Sequence, residues 1–235
     1  MRILSVITYY HPHWTGLATI ARRINESLAA RGHAITVLTT RHDTSLAREE
    51  IVRGVRVVRL TPAFFVSRGA VAPAFPFRIP ALVREHDLVQ IHTPLAESLL
   101  VAATCRLTHR PLLMTHYGDL VLPAGAFNRV VEGTVVRMMS AAARLADHVT
   151  TLSPDYARHS TFLRPFSAKL TATAPPVDIP APRIDNVAAW RRTLGLDHKR
   201  TVGFAGRFVE EKGFDYLLRA LPALVERCPD VHLLY

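Results

Sequence analysis

The sequence lacks several features that would assign the protein to common classes. It contains no run of about 18 uncharged apolar residues, which excludes an ordinary transmembrane helix. The first apolar run is short and is interrupted at residues 11–13, and no small-residue cleavage site follows, so we expect no secretory signal. Only two cysteines occur, Cys105 and Cys228, which argues against a disulfide framework and favours a reducing, cytoplasmic location.

Negative charge is also scarce. Asp and Glu total 19 against 29 Lys and Arg, a formal net charge of +10. Such a chain should attract phosphate groups, whether on a nucleotide, a lipid headgroup or a nucleic acid. The arginines are dispersed and no helix-turn-helix or RNA-binding motif occurs, so we expect no nucleic-acid partner. Hydrophobic residues make up 49% of the 235 residues, enough to bury a core.

Short apolar runs, which predict strands, alternate with amphipathic runs, which predict helices. The predicted strands are 2–8, 34–39, 51–60, 88–92, 112–116, 149–152 and one near Leu170. The predicted helices are 17–28, 95–107, 128–145 and one that Ser153 and Pro154 begin. Residues 61–80 show no clear period. This order predicts an α/β fold with a doubly wound, Rossmann-like parallel sheet and helices on both faces.

Four prolines crowd residues 175–186, a composition that suits a linker between domains. We therefore expect a Rossmann-like domain at 1–174 and the start of a second domain at 187–235. The second part has a strand at 201–205, a helix at 214–227 and a strand at 231–235. A doubly wound domain needs on the order of 100–150 residues, so we expect the chain to be a fragment.

Polar residues follow three of the predicted strands, where the carboxyl ends of a parallel sheet bind ligands. They are His11, His13, Thr15, Gly16, His92, Thr93, His116 and Asp119. Two interpretations remain open: a ligand site, or polar side chains that merely end strands near water. No metal-ligand spacing occurs, so we expect no metal site. Gly16 begins the first helix, where a glycine lets a phosphate or hydroxyl approach the backbone N–H groups.

A second basic site lies between the predicted strand 201–205 and the helix that follows it. Arg207 comes directly after Gly206, and Lys212 precedes Gly213 at the helix start. A guanidinium, an ammonium and a helix N-terminus together suit a diphosphate. Alternatively, the acidic pair 210–211 neutralises both charges and the cluster is only a solvated surface.

Several segments resemble, in the same order, motifs of the family 4 retaining glycosyltransferases, which have the GT-B fold. They are residues 2–39, from RILSVITYY to TVLT, then DLVQIHTP, LLMTHYGD, VTTLSPDY, PPVD and GFAGRFVEEKGFDYLLRALPAL. The resemblance covers nearly the whole chain. It implies two Rossmann-like domains and transfer of a sugar, with retention, from a nucleotide-diphosphate donor to an acceptor hydroxyl, without a metal or another cofactor.

The resemblance also implies roles for individual residues. His116 would face the transferred sugar or the acceptor hydroxyl, and Asp119 would either orient it or cap the next turn. Arg207 and Lys212 would bind the donor phosphates, as would Gly16, which the resemblance places in the glycine loop between the domains. We place His13, Thr15 and His92 on the side of the sugar or acceptor.

Two departures from the family pattern limit what the chain should do alone. Leu17 follows Gly16, where the family usually has a second glycine, and no two glutamates lie eight positions apart to hold the donor sugar and ribose. We therefore expect little activity from this chain by itself.

The acceptor would be a sugar or a lipid-linked sugar, and an anionic membrane is a further expected partner. Residues 61–84 combine phenylalanines with arginines, and the predicted helix 128–145 carries arginines beside valines. Both patterns suit peripheral docking at the inner face of a membrane. The alternative is that the phenylalanines fill the core. Two rival functions stay open: a non-catalytic membrane- or nucleic-acid-binding module, and a sugar-nucleotide epimerase on the same fold.

Overall fold

The computed structural model describes residues 1–235 except Arg68, Asp178, Pro180, Pro182, Arg183 and Arg207. The residues contact one another within two compact units, unit 1 (Met1–Val177) and unit 2 (Asp178–Tyr235). The division falls inside the proline-rich segment. No helix in the described part of the chain is both long and apolar enough to cross a bilayer.

Unit 1 alternates strands and helices along most of its length. Its strands are β1 (Arg2–Val6), β2 (Ala34–Thr40), β3 (Glu49–Val52), β4 (Val55–Leu60), β5 (Phe64–Val66), β6 (Gly69–Val71), β7 (Leu88–Thr93), β8 (Leu112–His116), β9 (His148–Thr151) and β10 (Leu170–Ala172). Its α-helices are α1 (Gly16–Ala30), α2 (Phe75–Glu85), α3 (Ser98–Leu107), α4 (Ala126–Leu145) and α5 (Pro154–His159), and a 3-10 helix spans Arg164–Lys169.

The main sheet has the strand order β10-β9-β8-β7-β1-β2-β4-β3. All neighbours are parallel except β3, which pairs antiparallel with β4 at the edge. The chain runs from β1 outward to β4 on one side and from β7 outward to β10 on the other. The expected doubly wound sheet is confirmed, and its switch point lies between β1 and β7.

Both faces of the sheet are covered, because side chains along β1 alternate between two apolar cores. Leu4 and Val6 belong to a core shared with α2, α3 and α4. Ile3 and Ile7 belong to a smaller core that includes Ala21 of α1. This alternation places Ser5, between Leu4 and Val6, on the α1 side of the sheet.

The segment 61–80, which shows no period in the sequence, contains the β5–β6 hairpin and the first half of α2. Pro76 lies in the first turn of α2, where its missing N–H costs little, and Pro80 lies further inside. The helix is held by the burial of Phe75, Ile79, Leu82 and Val83 at helical spacing.

Unit 2 contains α6 (Ile184–Thr193), β11 (Arg200–Gly203), α7 (Phe214–Arg227) and β12 (Val231–Leu234), with β11 parallel to β12. Phe204 and Phe214 pack with ring centroids 4.7 Å apart. Among the described residues of this unit only Leu196 is a buried apolar side chain, and α7 has none. The apolar burial that stabilises the chain is therefore concentrated in unit 1.

Two isoleucines test the placement of the central strands. Ile91→Ala on β7 should lower the free energy of unfolding by about 2–5 kcal/mol, because it opens a cavity in a fully buried site. Ile51 on the edge strand β3 is 76% exposed, so Ile51→Ala should change that free energy by about 0.5 kcal/mol or less. Urea unfolding followed by circular dichroism measures both; equal losses would contradict the central position of β7.

Candidate functional site

The loop after β1 leads directly into α1 at the carboxyl edge of the sheet. The Thr15 side chain caps the helix, its Oγ1 accepting from the Ala18 N–H at 3.1 Å. A Cβ added at Gly16 would meet no heavy atom within 4 Å, and Gly16 has no positive φ. Neither backbone conformation nor crowding therefore requires a glycine here. What its missing side chain provides is open space over the first turn of α1.

Arg59 of β4 holds this loop in place. Its Nη2 donates to the His11 carbonyl at 2.9 Å, and its Nη1 contacts the Glu50 carboxylate at 2.6 Å. The side chain is only 1% exposed. The sequence partly predicts this burial: Arg56 and Arg59 are three positions apart on one strand, so their side chains lie on opposite faces of it.

His116, the last residue of β8, is fully buried in a group of polar and aromatic side chains. Its Nδ1 lies 2.9 Å from Thr93 Oγ1, and its Nε2 lies 3.6 Å from Asp119 Oδ1. The Tyr156 hydroxyl of α5 donates to Asp119 Oδ1 at 2.9 Å and lies 3.3 Å from His116 Nε2. The Phe162 ring stacks on the imidazole at 4.4 Å.

These contacts determine the charge of the imidazole. Burial lowers the pKa of His116, and the Asp119 carboxylate opposes that shift with a smaller effect. His116 is therefore neutral near pH 7. Nδ1 faces the Thr93 hydroxyl and Nε2 faces Asp119 and Tyr156, so the neutral ring donates at one of these nitrogens and accepts at the other.

We expected His92 to face the open carboxyl edge of the sheet. Instead it lies fully buried on the α1 side of the sheet. Its Nε2 is 2.9 Å from Ser5 Oγ, and this Ser5 oxygen accepts from Asn25 Nδ2 of α1 at 3.1 Å. Its Nδ1 is 2.8 Å from the hydroxyl of Tyr117, the residue after β8. Burial lowers the pKa of His92 to about 3. Any contact of this group with a ligand would go through Tyr117.

His13 belongs to an aromatic cluster in the loops after β1 and β2. Its ring stacks on Tyr9 at 4.6 Å and meets His42 edge-on at 4.9 Å. Burial lowers the pKa of both histidines. Across the described residues, no three His, Cys, Asp or Glu side chains converge into a group of the size that holds a metal ion.

In unit 2, Lys212 ends the 3-10 helix Glu210–Lys212 and its side chain is exposed. Gly213 follows with φ of 67°, a left-handed conformation that favours glycine, and α7 begins after it without a capping side chain. Arg207 lies outside the described residues. The diphosphate site around Arg207 and Lys212 stays a prediction.

Sequence reasoning missed Tyr117, Tyr156 and Arg59. Tyr117 and Tyr156 lie in the segments LLMTHYGD and VTTLSPDY, but their contacts join residues 25 and 37 positions apart. Such pairings depend on how the strands are ordered in the sheet.

A doubly wound parallel sheet, with its polar side chains gathered at the carboxyl edge of the strands at the switch point, is the architecture of GT-B glycosyltransferases. The fold resembles sucrose-phosphate synthase from Thermosynechococcus elongatus, with a TM-score of 0.60 at 18% identity over 99% of this chain and 61% of that one. It also resembles a UDP-N-acetylglucosamine 2-epimerase from Listeria monocytogenes, with a TM-score of 0.54 at 14% identity over 99% of this chain and 61% of that one. Fold alone thus fits both a transferase and an epimerase.

The sequence distinguishes between a transferase and an epimerase. Residues 14–179 match Glycosyltransferase Family 4, and the chain belongs to that family. A relative is the GDP-mannose-dependent alpha-(1-6)-phosphatidylinositol monomannoside mannosyltransferase of Mycolicibacterium smegmatis, 30% identical over 97% of this chain and 51% of its own length. The chain thus spans about half the length of this relative. The expectation of a glycosyltransferase is confirmed at the level of the family.

The neutral His92 makes stability depend on pH. Below pH ~6.5 the unfolded chain protonates this histidine, whereas the folded chain does so only near pH 3. The free energy of unfolding should therefore fall as the pH drops, by roughly 2 kcal/mol between pH 7 and pH 5 from this group, with a further fall from His116.

Urea unfolding at several pH values measures this fall. In His92→Gln the side chain no longer titrates, so the fall between pH 7 and pH 5 should be smaller by that amount. An equal fall in both proteins would show that His92 is protonated in the folded state.

Proposed function

We propose that the protein transfers a sugar, with retention, from a nucleotide-diphosphate donor to a hydroxyl of a phosphoinositol lipid headgroup. The observation that carries the proposal is the position of His116 at the end of β8, neutral and held between Thr93 and Asp119, on the sheet edge where α1 begins at Gly16. The mannosyltransferase relative supports the choice of donor and acceptor.

In this proposal unit 1 binds the acceptor. A hydroxyl of the headgroup or of the transferred sugar takes the place of the Tyr156 hydroxyl, 3.3 Å from His116 Nε2. Asp119, whose side chain is half exposed, orients the imidazole and accepts a second hydrogen bond from the ligand. The open first turn of α1 at Gly16 leaves room for a phosphate or hydroxyl group beside it.

The donor side belongs to unit 2 in this proposal. Negative charge builds up on the departing diphosphate in the transition state, and the exposed Lys212 and the uncapped N-terminus of α7 would offset it together with Arg207. We propose that these groups fill the role that a metal ion has in other transferases. Unit 2 buries few side chains, so we expect little transfer from the 235-residue chain alone.

A binding experiment tests the acceptor role of His116. Calorimetric titration of the chain with a glycerophosphoinositol mannoside should show at least about tenfold weaker binding for His116→Ala, because a hydrogen bond to the ligand is lost. The control is His148→Ala: His148 begins β9 at the opposite edge of the sheet and is exposed.

In the full product of the gene, labelled mannose from GDP-mannose should appear in phosphatidylinositol-containing vesicles. Conversion of the donor without acceptor would favour an epimerase instead. Unchanged headgroup binding by the His116→Ala variant would show that His116 is not part of the acceptor site.

We also propose that unit 1 docks on an anionic membrane surface. Of the phenylalanines considered, Phe75 fills the core, whereas Phe64, Phe65 and Phe77 are exposed. Arg68 lies outside the described residues, while Arg78 and Arg84 are part of α2. On α4, the exposed Phe127 and Val130 flank Arg129, with Arg137 two turns on. Exposed aromatics beside arginines suit the headgroup region of an anionic leaflet.

Vesicle co-sedimentation tests the docking with a matched pair of variants. Phe77 and Ile179 are both 82% exposed, but Phe77 lies beside Arg78 on α2, whereas Ile179 lies in the proline-rich segment. Phe77→Ser should reduce binding to phosphatidylinositol-containing vesicles several-fold, and Ile179→Ser should not. No binding of the unsubstituted chain to anionic vesicles at low salt would rule the docking out.

A further inference from the structure

Tyr117 ends a chain of hydrogen bonds that crosses three elements of unit 1. Asn25 of α1 contacts Ser5 of β1, Ser5 contacts His92 of β7, and His92 contacts the Tyr117 hydroxyl, at 3.1, 2.9 and 2.8 Å. Asn25, Ser5 and His92 are fully buried, whereas Tyr117 is partly exposed. The chain therefore runs from the interior to the carboxyl edge of the sheet.

The donors and acceptors available determine the direction in which these hydrogen bonds run. Asn25 Nδ2 donates to Ser5 Oγ, so the single Ser5 hydroxyl proton is free for His92 Nε2. With Asn25 Nδ2 facing Ser5, a ring proton on His92 Nε2 would leave the buried Ser5 proton without an acceptor, which is unfavourable. A neutral imidazole that accepts at Nε2 carries its own proton on Nδ1, and Nδ1 then donates to the Tyr117 oxygen.

The Tyr117 hydroxyl is left with one proton to donate. Burial raises the pKa of Tyr117 well above its usual range, so the proton stays on the oxygen. Tyr117 follows β8, yet its hydroxyl meets a side chain of β7, so it reaches toward the β1–β7 switch point. Ligands of doubly wound sheets bind outside the strand ends at this point.

We infer that the Tyr117 hydroxyl is a ligand-positioning donor, directed by Asn25, Ser5 and His92, that binds a phosphate oxygen of a substrate. The Tyr117 oxygen already accepts from His92, so its free proton is matched to an acceptor on the ligand. A phosphate oxygen is the strongest acceptor in the proposed substrates. The inference rests on the proposed function. Unit 1 binds the headgroup in the proposed function, so the lipid phosphate is the expected ligand, and the binding test below distinguishes it from the nucleotide diphosphate.

The direction of the chain is tested without any ligand. In ¹⁵N-labelled protein, long-range ¹H–¹⁵N spectra at pH 7 should show His92 with its proton on Nδ1 and a bare Nε2. Ser5→Ala removes the donor to Nε2 and should shift the ring toward the other tautomer. A proton on Nε2 in the unsubstituted protein would mean that the hydrogen bonds run in the opposite direction, which would overturn the inference.

Binding tests the ligand contact. Tyr117→Phe removes one oxygen and should weaken the binding of either glycerophosphoinositol or GDP about tenfold, the usual effect of one hydrogen bond to a charged group; the ligand affected identifies the source of the phosphate. Ser5→Ala should weaken the same ligand, although Ser5 is buried away from it. The control is Thr171→Val, which removes an exposed hydroxyl from the edge strand β10.

The outcomes separate this inference from the proposed function. If Tyr117→Phe keeps its thermal midpoint and binds both ligands normally, Tyr117 is only structural and the inference is wrong, while the proposed function stands. If the unsubstituted chain binds neither ligand, the proposed function and the phosphate contact both fail. If Tyr117→Phe does not fold, the Ser5→Ala tautomer and affinity decide, and no change in either overturns the inference.

Discussion

The structure depends on one constraint: the central strands of the parallel sheet are covered on both faces. Every side chain of β1 after Arg2 is buried, with Leu4 and Val6 on one face and Ile3 and Ser5 on the other. Polar groups on these strands must then either find partners inside or lie at the strand ends. Both solutions occur: Ser5 pairs with His92, and His116 lies at the end of β8.

That constraint explains why the candidate site has neutral histidines. Taking an imidazolium out of water is unfavourable without a close counter-charge, and His92 has only neutral partners. Asp119 lies near His116, yet the separation of 3.6 Å and the half-exposed carboxylate do not offset burial. A neutral imidazole donates at one nitrogen and accepts at the other, so each ring transmits the orientation of its partner. Such a group can orient a hydroxyl of a ligand through the direction of its hydrogen bonds, without a charged imidazole.

The sequence predicted what depends on local patterns and failed where distant residues decide. Strand β8 spans Leu112–His116 as predicted, and Ser153 caps α5 as its chemistry suggests. Helix α2 was not predicted because its prolines are helix breakers by propensity, whereas burial of its apolar face overrides them. His92 was assigned to the open edge because it nears a strand end. Only the position of β7 between β1 and β8, which no local pattern encodes, gives it Ser5 and Tyr117 as partners.

The positive charge of the chain lies away from these neutral groups. Several arginines are paired within unit 1, among them Arg2 with Asp87 and Arg56 with Glu49. Others, such as Arg129 and Arg137, lie exposed on α4. Exposed charges act over about 10 Å and attract phosphates without fixing their orientation, whereas buried hydrogen bonds act only in contact. Different residues therefore attract a phosphate and fix its orientation. Replacing surface arginines changes the net charge while the geometry around His116 stays the same.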